Sequence, residues 1–407
     1  MFKNEDAFQE WLSNKFKEEI TISELIVNEN YLQEFDPDSV TKKKVFESFQ
    51  LSYKSLMLHE TLTENKNISL KKGDSLKPDF LLYAPETQSV VIVELKNISN
   101  PTRQAGTEVN AYASEIKSYI PFISDGDIVN VIISNDYPTL LRHYIFHDIF
   151  WMNRNIICLQ PTKFKKSIKL KIIDIESVVE DEIPLNLSPK YLGGFHICLY
   201  DENLYKDPSH LTRLDKYLEQ MKSALSVMAS KGNSQKTHGF AILWRSNYLS
   251  LAPYVITILN FAPFRTLERL FHDEDFEPRN LTKKFVEIIQ EHDPEGHGES
   301  INSITDVGIK FLDNFCSPKV EGFHDWEVLK KHFENDSSEL IEFRAWGIFD
   351  NLYAEKLLEN YLNDNLEFQY GNPTIGFEML NDIIDLNYPF NDLTGMYKID
   401  EDDIFNH

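Results

Sequence analysis

The stretch KPDFLLYAPETQSVVIVELKN, residues 77–97, constrains the fold more than any other part of this chain. Its two apolar runs, DFLLY and VVIVELK, are rich in β-branched and aromatic residues and read as strands. The intervening APETQS is a turn, so the stretch predicts an antiparallel hairpin. Side chains alternate faces along a strand. Val91, Val93 and Leu95 therefore point one way, and Val90, Ile92, Glu94 and Lys96 the other. In a hairpin the start of one strand lies beside the end of the next. Asp79, Glu94 and Lys96 are thus expected to converge at one end of the sheet.

Two carboxylates within a few ångström repel each other unless a divalent cation lies between them. Oxygen ligands completed by water suit Mg²⁺ or Mn²⁺. Such an ion lowers the pKa of a bound water and neutralises charge on a phosphoryl oxygen. A lysine alongside can orient that water, help deprotonate it, or stabilise the developing charge. The plainer alternative is that Asp79 merely begins a strand, while Glu94 and Lys96 form an ordinary pair where the next strand meets water.

The surrounding pattern predicts a domain of mixed sheet and helix. Residues 4–19 have Phe8, Trp11, Leu12 and Phe16 at helical spacing, with Asn4 as N-cap. A second helix is expected near 40–57, and weak strands at LMLHETLT and NISLKK. After the hairpin come a helix at about 102–119, a strand DIVNVIIS, a helix TLLRHYIFHDIFWMN, and strands IICLQ and KLKIIDI. This order makes residues 1–182 an α/β domain. The Pro- and Gly-containing segment 183–194 is expected to be a linker, and residues 195–407 a second α+β domain, mostly helical after residue 265.

Pro78–Asp79 followed by Glu94–Leu95–Lys96 resembles the signature of the PD-(D/E)xK nuclease superfamily. The resemblance covers about residues 1–180. It implies a restriction-endonuclease-like mixed β-sheet core flanked by helices and Mg²⁺-dependent hydrolysis of DNA. Asp79 and Glu94 would hold the metal and Lys96 would assist the attacking water. The helix that follows is similar to the Q-h-x-x-Y motif of the RecB-like branch. Here it reads EVNAY, from Glu108 to Tyr112, with Gln104 one turn earlier on the same face. Glu stands where that motif has Gln, so Glu108 is either an added metal ligand or a polar neighbour. The family usually supplies a further acid from its first helix. EDAFQEWL makes Glu5 the choice, with Glu47 and Glu60 as rivals. Standalone nucleases joined to an unfamiliar domain resemble bacterial anti-phage defence and restriction components.

Charge limits the partners. The net charge is −24. Residues 1–200 hold 22 Lys+Arg against 28 Asp+Glu, a net of −6, leaving 19 against 37, or −18, for the rest. Such a surface excludes a general DNA coater and suits a protein partner or homo-oligomer on the acidic C-terminal half. The densest basic cluster, Lys163, Lys165, Lys166, Lys169 and Lys171, is either a phosphate-contacting edge or a set of edge-strand lysines that block unwanted pairing. EHDPEGHGES, with His292, Asp293, His297 and Glu299, and the turn around His272 read as solvent loops rather than metal sites. FAILWRSNY reads as core strand more than as a base-stacking platform. No leader peptide, membrane span or phosphate loop is expected. The three scattered cysteines fit reduced thiols in a cytoplasm. The second functional reading is a nuclease fold that has lost catalysis and acts as a binding module through a protein partner.

Overall fold

The computed structural model describes residues 2–96, 103–179, 189–201, 213–246, 251–262, 264, 280–292, 298–335, 338–364 and 370–384. The chain divides into two compact units, Met1–Leu185 and Asn186–His407. Both are mixed helix and sheet, with one sheet in each flanked by helices. Among the described residues no helix is long and apolar enough to cross a membrane.

Unit 1 opens with helices α1 (Glu5–Lys17), α2 (Ile22–Leu25), α3 (Tyr31–Glu34) and α4 (Val40–Lys54). Asn4 caps α1 as its spacing requires, its side chain accepting the Ala7 N–H at 3.1 Å. Strands β1 (Glu60–Glu64), β2 (Phe80–Ala84) and β3 (Ser89–Lys96) follow. Then come α5 (Arg103–Tyr119), β4 (Ile128–Ser134), α6 (Thr139–Phe146), β5 (Asn155–Phe164), β6 (Ser167–Ile172) and α7 (Ile175–Val179). The six strands lie in sequence order across one sheet. β1, β2 and β3 run antiparallel, β3, β4 and β5 run parallel, and β6 returns antiparallel. NISLKK forms no strand: Asn67 uses its side chain to accept the N–H groups of Ser69 and Leu76, which closes a loop instead.

β3 is central and buried on both faces, from Ser89 to Leu95. Val90 and Ile92 pack with Tyr112 and Ile116 of α5. On the other face Phe80, opposite Val93, meets the edge of the α1 ring Phe16 at 5.1 Å. Each such fully buried aliphatic side chain contributes roughly 1.5–3 kcal/mol. α5 and α6 approach closely, and a Cβ at Gly106 would meet the Tyr144 ring at 2.6 Å.

Unit 2 is built on an antiparallel sheet of five strands in the order β10-β7-β9-β8-β11. The strands are β7 (Leu192–Tyr200), β8 (Gly239–Arg245), β9 (Tyr254–Phe261), β10 (Ser317–Asp325) and β11 (Glu339–Trp346). The helices are α8 (Leu218–Ser234), α9 (Asn280–His292), α10 (Gly298–Leu312), α11 (Trp326–Asn335), α12 (Ile348–Asp364) and α13 (Pro373–Ile383). One expectation is corrected here. Residues 192–194 are not linker but the start of β7. Gly194 lies so close to β9 that a Cβ there would sit 1.8 Å from the Ile258 carbonyl oxygen, so the glycine marks a packed strand and not a flexible joint. The region after residue 265 also contributes two strands, β10 and β11, at the two edges of the sheet.

The two faces of this sheet differ. Phe195, Ile197, Leu199, Leu243, Ile256 and Ile258 pack under α8 and α10 in one apolar cluster. The opposite face carries an aromatic group, with Phe240 against Trp326, Phe343 and Phe349, and beside it a polar patch on His196 and Thr257.

A candidate acid-pair site at the end of the central hairpin

The β2–β3 register sets the site. Phe80 is paired with Val93, so the residue before Phe80 meets the residue after Val93. That brings Asp79 beside Glu94. Asp79 accepts the Leu95 N–H on Oδ2 at 2.7 Å, which fixes it against the strand that carries Glu94. Lys96 lies one full pleat beyond Glu94 on the same face. Its Nζ is 2.6 Å from Glu94 Oε1 and 2.9 Å from Glu108 Oε2 on α5. Tyr112, one turn further along α5, donates its hydroxyl to the Lys77 carbonyl at 3.0 Å. That bond ties the helix to the segment leading into Asp79.

The electrostatics are those of crowded acid under poor solvation. Burial pushes the Asp79 carboxyl up to about 6. The Leu95 N–H and Lys96 hold it down in part, while Glu5 and Glu108 raise it further. Glu94 is only 3 % exposed and is raised well above the ordinary carboxylate range by burial and then by Asp79. Burial disfavours the Lys96 ammonium, but Glu94 and Glu108 outweigh it and keep the amine protonated well above its ordinary range. Glu94 Oε2 is buried and has no hydrogen-bond partner among the described residues. An orphaned buried carboxylate oxygen costs on the order of 1–3 kcal/mol or more, unless something outside the protein satisfies it.

Asp79, Glu94, Lys96, Glu108 and Tyr112 come together. Glu5 opens α1 with an exposed side chain, and its charge acts on Asp79. Glu47 on α4 and Glu60 on β1 are exposed. Gln104 falls in the first turn of α5, and its side chain lies outside the described residues. Lys163, Lys165 and Lys166 sit exposed at the β5–β6 turn, while Lys169 donates to the Glu24 carbonyl at 2.9 Å. β5 runs parallel to β3 and extends past it, so the turn projects from the sheet edge at which Glu94 and Lys96 lie. His272, Asp293 and His297 lie outside the described residues, as does the side chain of His292. Glu299 is exposed in the first turn of α10.

Among the described residues no group of three or more His, Cys, Asp or Glu forms a ready-made metal site. The acid pair fits a hard divalent cation in a narrower sense. It offers two carboxylates, one with an unsatisfied buried oxygen, and leaves the other positions to water and substrate. That is the manner in which Mg²⁺ is ordinarily held.

Sequence reasoning missed a second polar cluster, His196, His332, Thr257 and Trp244 in unit 2, where His196 Nε2 and His332 Nδ1 are 2.8 Å apart. No local signal marks it, since its members lie on β7, α11, β9 and β8.

Compared with protein-family models, curated proteins and solved structures, the chain matches none.

Proposed function

We propose that unit 1 is a metal-dependent nuclease of the PD-(D/E)xK kind, hydrolysing phosphodiester bonds of DNA. One observation carries this reading: Glu94, deeply buried, keeps a carboxylate oxygen with no partner among the described residues, beside Asp79 at the mouth of a sheet. A purely structural role gives no reason to bury two acids side by side with one oxygen unsatisfied. The six-stranded mixed sheet with helices on both faces supports the restriction-endonuclease-like assignment.

Asp79 and Glu94 would hold Mg²⁺ or Mn²⁺, which supplies Lewis acidity toward a phosphoryl oxygen and toward the attacking water. Lys96 is fixed between Glu94 and Glu108 and stays protonated. Its role is therefore that of a cation and hydrogen-bond donor, orienting the water and countering the charge that develops on the phosphoryl oxygens. It is not the base that removes the proton. Glu108 positions Lys96, which accounts for an acid where the resembling motif has Gln. Tyr112 holds the Lys77–Asp79 segment so that Asp79 keeps its place opposite Glu94. Glu5 adds negative charge at the rim, on the side of Asp79. The lysines at the β5–β6 turn offer phosphate contacts in a chain that is otherwise acidic.

The test is cleavage of supercoiled plasmid and of labelled single-stranded DNA in Mg²⁺, Mn²⁺ or EDTA. Cutting that requires the metal and disappears in Glu94→Ala and Lys96→Ala supports the proposal. Metal binding without cutting of either DNA, in a chain whose Glu94→Ala variant behaves identically, would favour the binding-module reading instead.

A further inference from the structure

A cleft of about 390 Å³ opens on the polar face of the unit 2 sheet, lined among others by His196, Trp244, Glu321, His324 and His332. Its floor is a chain of hydrogen bonds whose direction can be worked out. Trp244 Nε1 can only donate, and it reaches Thr257 Oγ1 at 2.9 Å. Thr257 is fully buried, and its hydroxyl makes one other hydrogen bond, at 2.8 Å to His196 Nδ1. The hydroxyl hydrogen must therefore go to His196, which accepts on Nδ1. His196 then carries its proton on Nε2 and donates it to His332 Nδ1 at 2.8 Å. Burial and the neighbouring His332 and His324 lower the His196 pKa to about 3, in keeping with a neutral ring. His332 accepts on Nδ1 and so holds its own proton on Nε2. The chain ends at the cleft as an N–H donor, not as a lone pair.

That polarity bears on the ligand. A transition metal on His332 Nε2 needs that nitrogen bare, and meeting that need would reverse both imidazole bonds of the chain and leave the Thr257 hydrogen without an acceptor. Among the described residues lining the cleft no Lys or Arg offers an anion a counter-charge. On the neighbouring strand β10, where it is the register partner of His196, Glu321 accepts the Tyr200 hydroxyl on Oε1 at 2.5 Å, its one hydrogen bond among the described residues, so Oε2 remains as an acceptor. The rings supply flat apolar walls: His332 lies 5.0 Å from His196 and 6.3 Å from His324, centroid to centroid.

We infer that this cleft is a binding site for an uncharged nitrogen heterocycle bearing an exocyclic amino group, of nucleobase or nucleoside type. The amino group donates to Glu321, and a ring nitrogen or carbonyl accepts from His332 Nε2. The volume lies in the range of small-molecule sites. This site stands apart from the acid pair of unit 1 and does not depend on the nuclease reading.

Calorimetric titration of the full chain with adenosine, cytidine, uridine and AMP tests it. Adenosine or cytidine is expected to bind saturably, one per chain. Uridine, without the amino group, is expected at least about tenfold weaker. AMP should gain nothing over adenosine. Glu321→Ala, at an exposed strand position, should weaken adenosine about tenfold or more, and so should His332→Phe, which keeps the ring and removes the donor. Glu94→Ala should leave nucleoside affinity unchanged. The inference is overturned if no nucleoside binds, if AMP binds more tightly than adenosine, or if both cleft variants bind as the parent does. Saturable Zn²⁺ binding lost in His332→Phe would also overturn it, because the cleft would then be a metal site.

Discussion

The acid pair of unit 1 and the histidine chain of unit 2 both bury titratable groups on a sheet, yet they resolve the cost in opposite ways. In unit 2 each polar atom of Trp244, Thr257 and His196 in the chain is answered by the next, only His332 Nε2 is left open at the cleft, and His196 is held toward its neutral form. Burial there is self-consistent. In unit 1 Asp79 and Glu94 are crowded, both pushed toward protonation, and Glu94 Oε2 is answered by none of the described residues. A buried cluster that satisfies itself can be scaffold or recognition surface. One that does not satisfy itself implies a missing charge from outside. The contrast argues for a cation in unit 1 and a neutral ligand in unit 2.

The largest expected effect separates the two directly. Glu94→Ala should reduce DNA cleavage by at least about a hundredfold, the scale for losing one preorganised electrostatic group. Thr257→Val should leave cleavage rates unchanged in the same assay. If Thr257→Val cost as much as Glu94→Ala, the two clusters would not be separate systems.

A smaller effect tests how Lys96 is held. Glu108→Gln keeps the shape but removes one of the two carboxylates at Nζ. Cleavage should fall by roughly 10–100-fold, as for groups that orient a site from behind. The pH–rate profile should also lose its alkaline limb earlier, because Lys96 would release its proton at lower pH. A profile identical to that of the parent would make Glu108 a bystander.

The two clusters should also answer pH with opposite sign. Asp79 has its pKa raised in the folded chain to about 6, so folding takes up a proton. Its contribution is fully present below the unfolded carboxylate pKa and is lost as pH rises through about 6. His196 is lowered to about 3. Its contribution is present above the unfolded histidine pKa of about 6.5 and is lost as pH falls below it. His59 in unit 1, lowered to about 4 by burial, behaves as His196 does, so the acid term is best isolated by difference. Hydrogen exchange of metal-free chain over pH 4–7 should show β3 loosening with rising pH more steeply in the parent than in Asp79→Asn, where only Glu94 is left to titrate. β7 should loosen with falling pH in both. Parallel trends at β3 in parent and variant would remove the acid pair's claim to be strained.

The smallest effect concerns the β5–β6 turn. Replacing Lys163, Lys165 and Lys166 together with Ala should weaken DNA association several-fold and flatten its salt dependence, without altering single-turnover cleavage at saturating DNA. An unchanged salt slope would leave these lysines as guards of an edge.

What the sequence disclosed follows the same division. The hairpin, its register and the convergence of Asp79, Glu94 and Lys96 were legible because strand alternation and a four-residue turn are local rules. Asn4 as the cap of α1 was legible for the same reason. The strands β10 and β11 were not: SPKVEGFHD is mostly exposed, with Pro and Gly at an edge, and β11 is broken by a register shift between Leu340 and Glu342. Gly193–Gly194 suggested a joint, though Gly194 answers a close approach of the Ile258 backbone and Gly193 makes room for the Phe323 ring, neighbours that only the folded sheet creates. The histidine chain was invisible because four elements distant in sequence supply it. A residue's neighbours across a sheet depend on register, which no single segment carries.

The most direct measurement is Mn²⁺ binding to the full chain, read by electron paramagnetic resonance, for the parent, Glu94→Gln and His332→Phe. The expected result is saturable binding in the parent and in His332→Phe that is lost in Glu94→Gln. Undiminished binding in Glu94→Gln, or none in the parent, would contradict the claim that the buried acids of unit 1 await a metal.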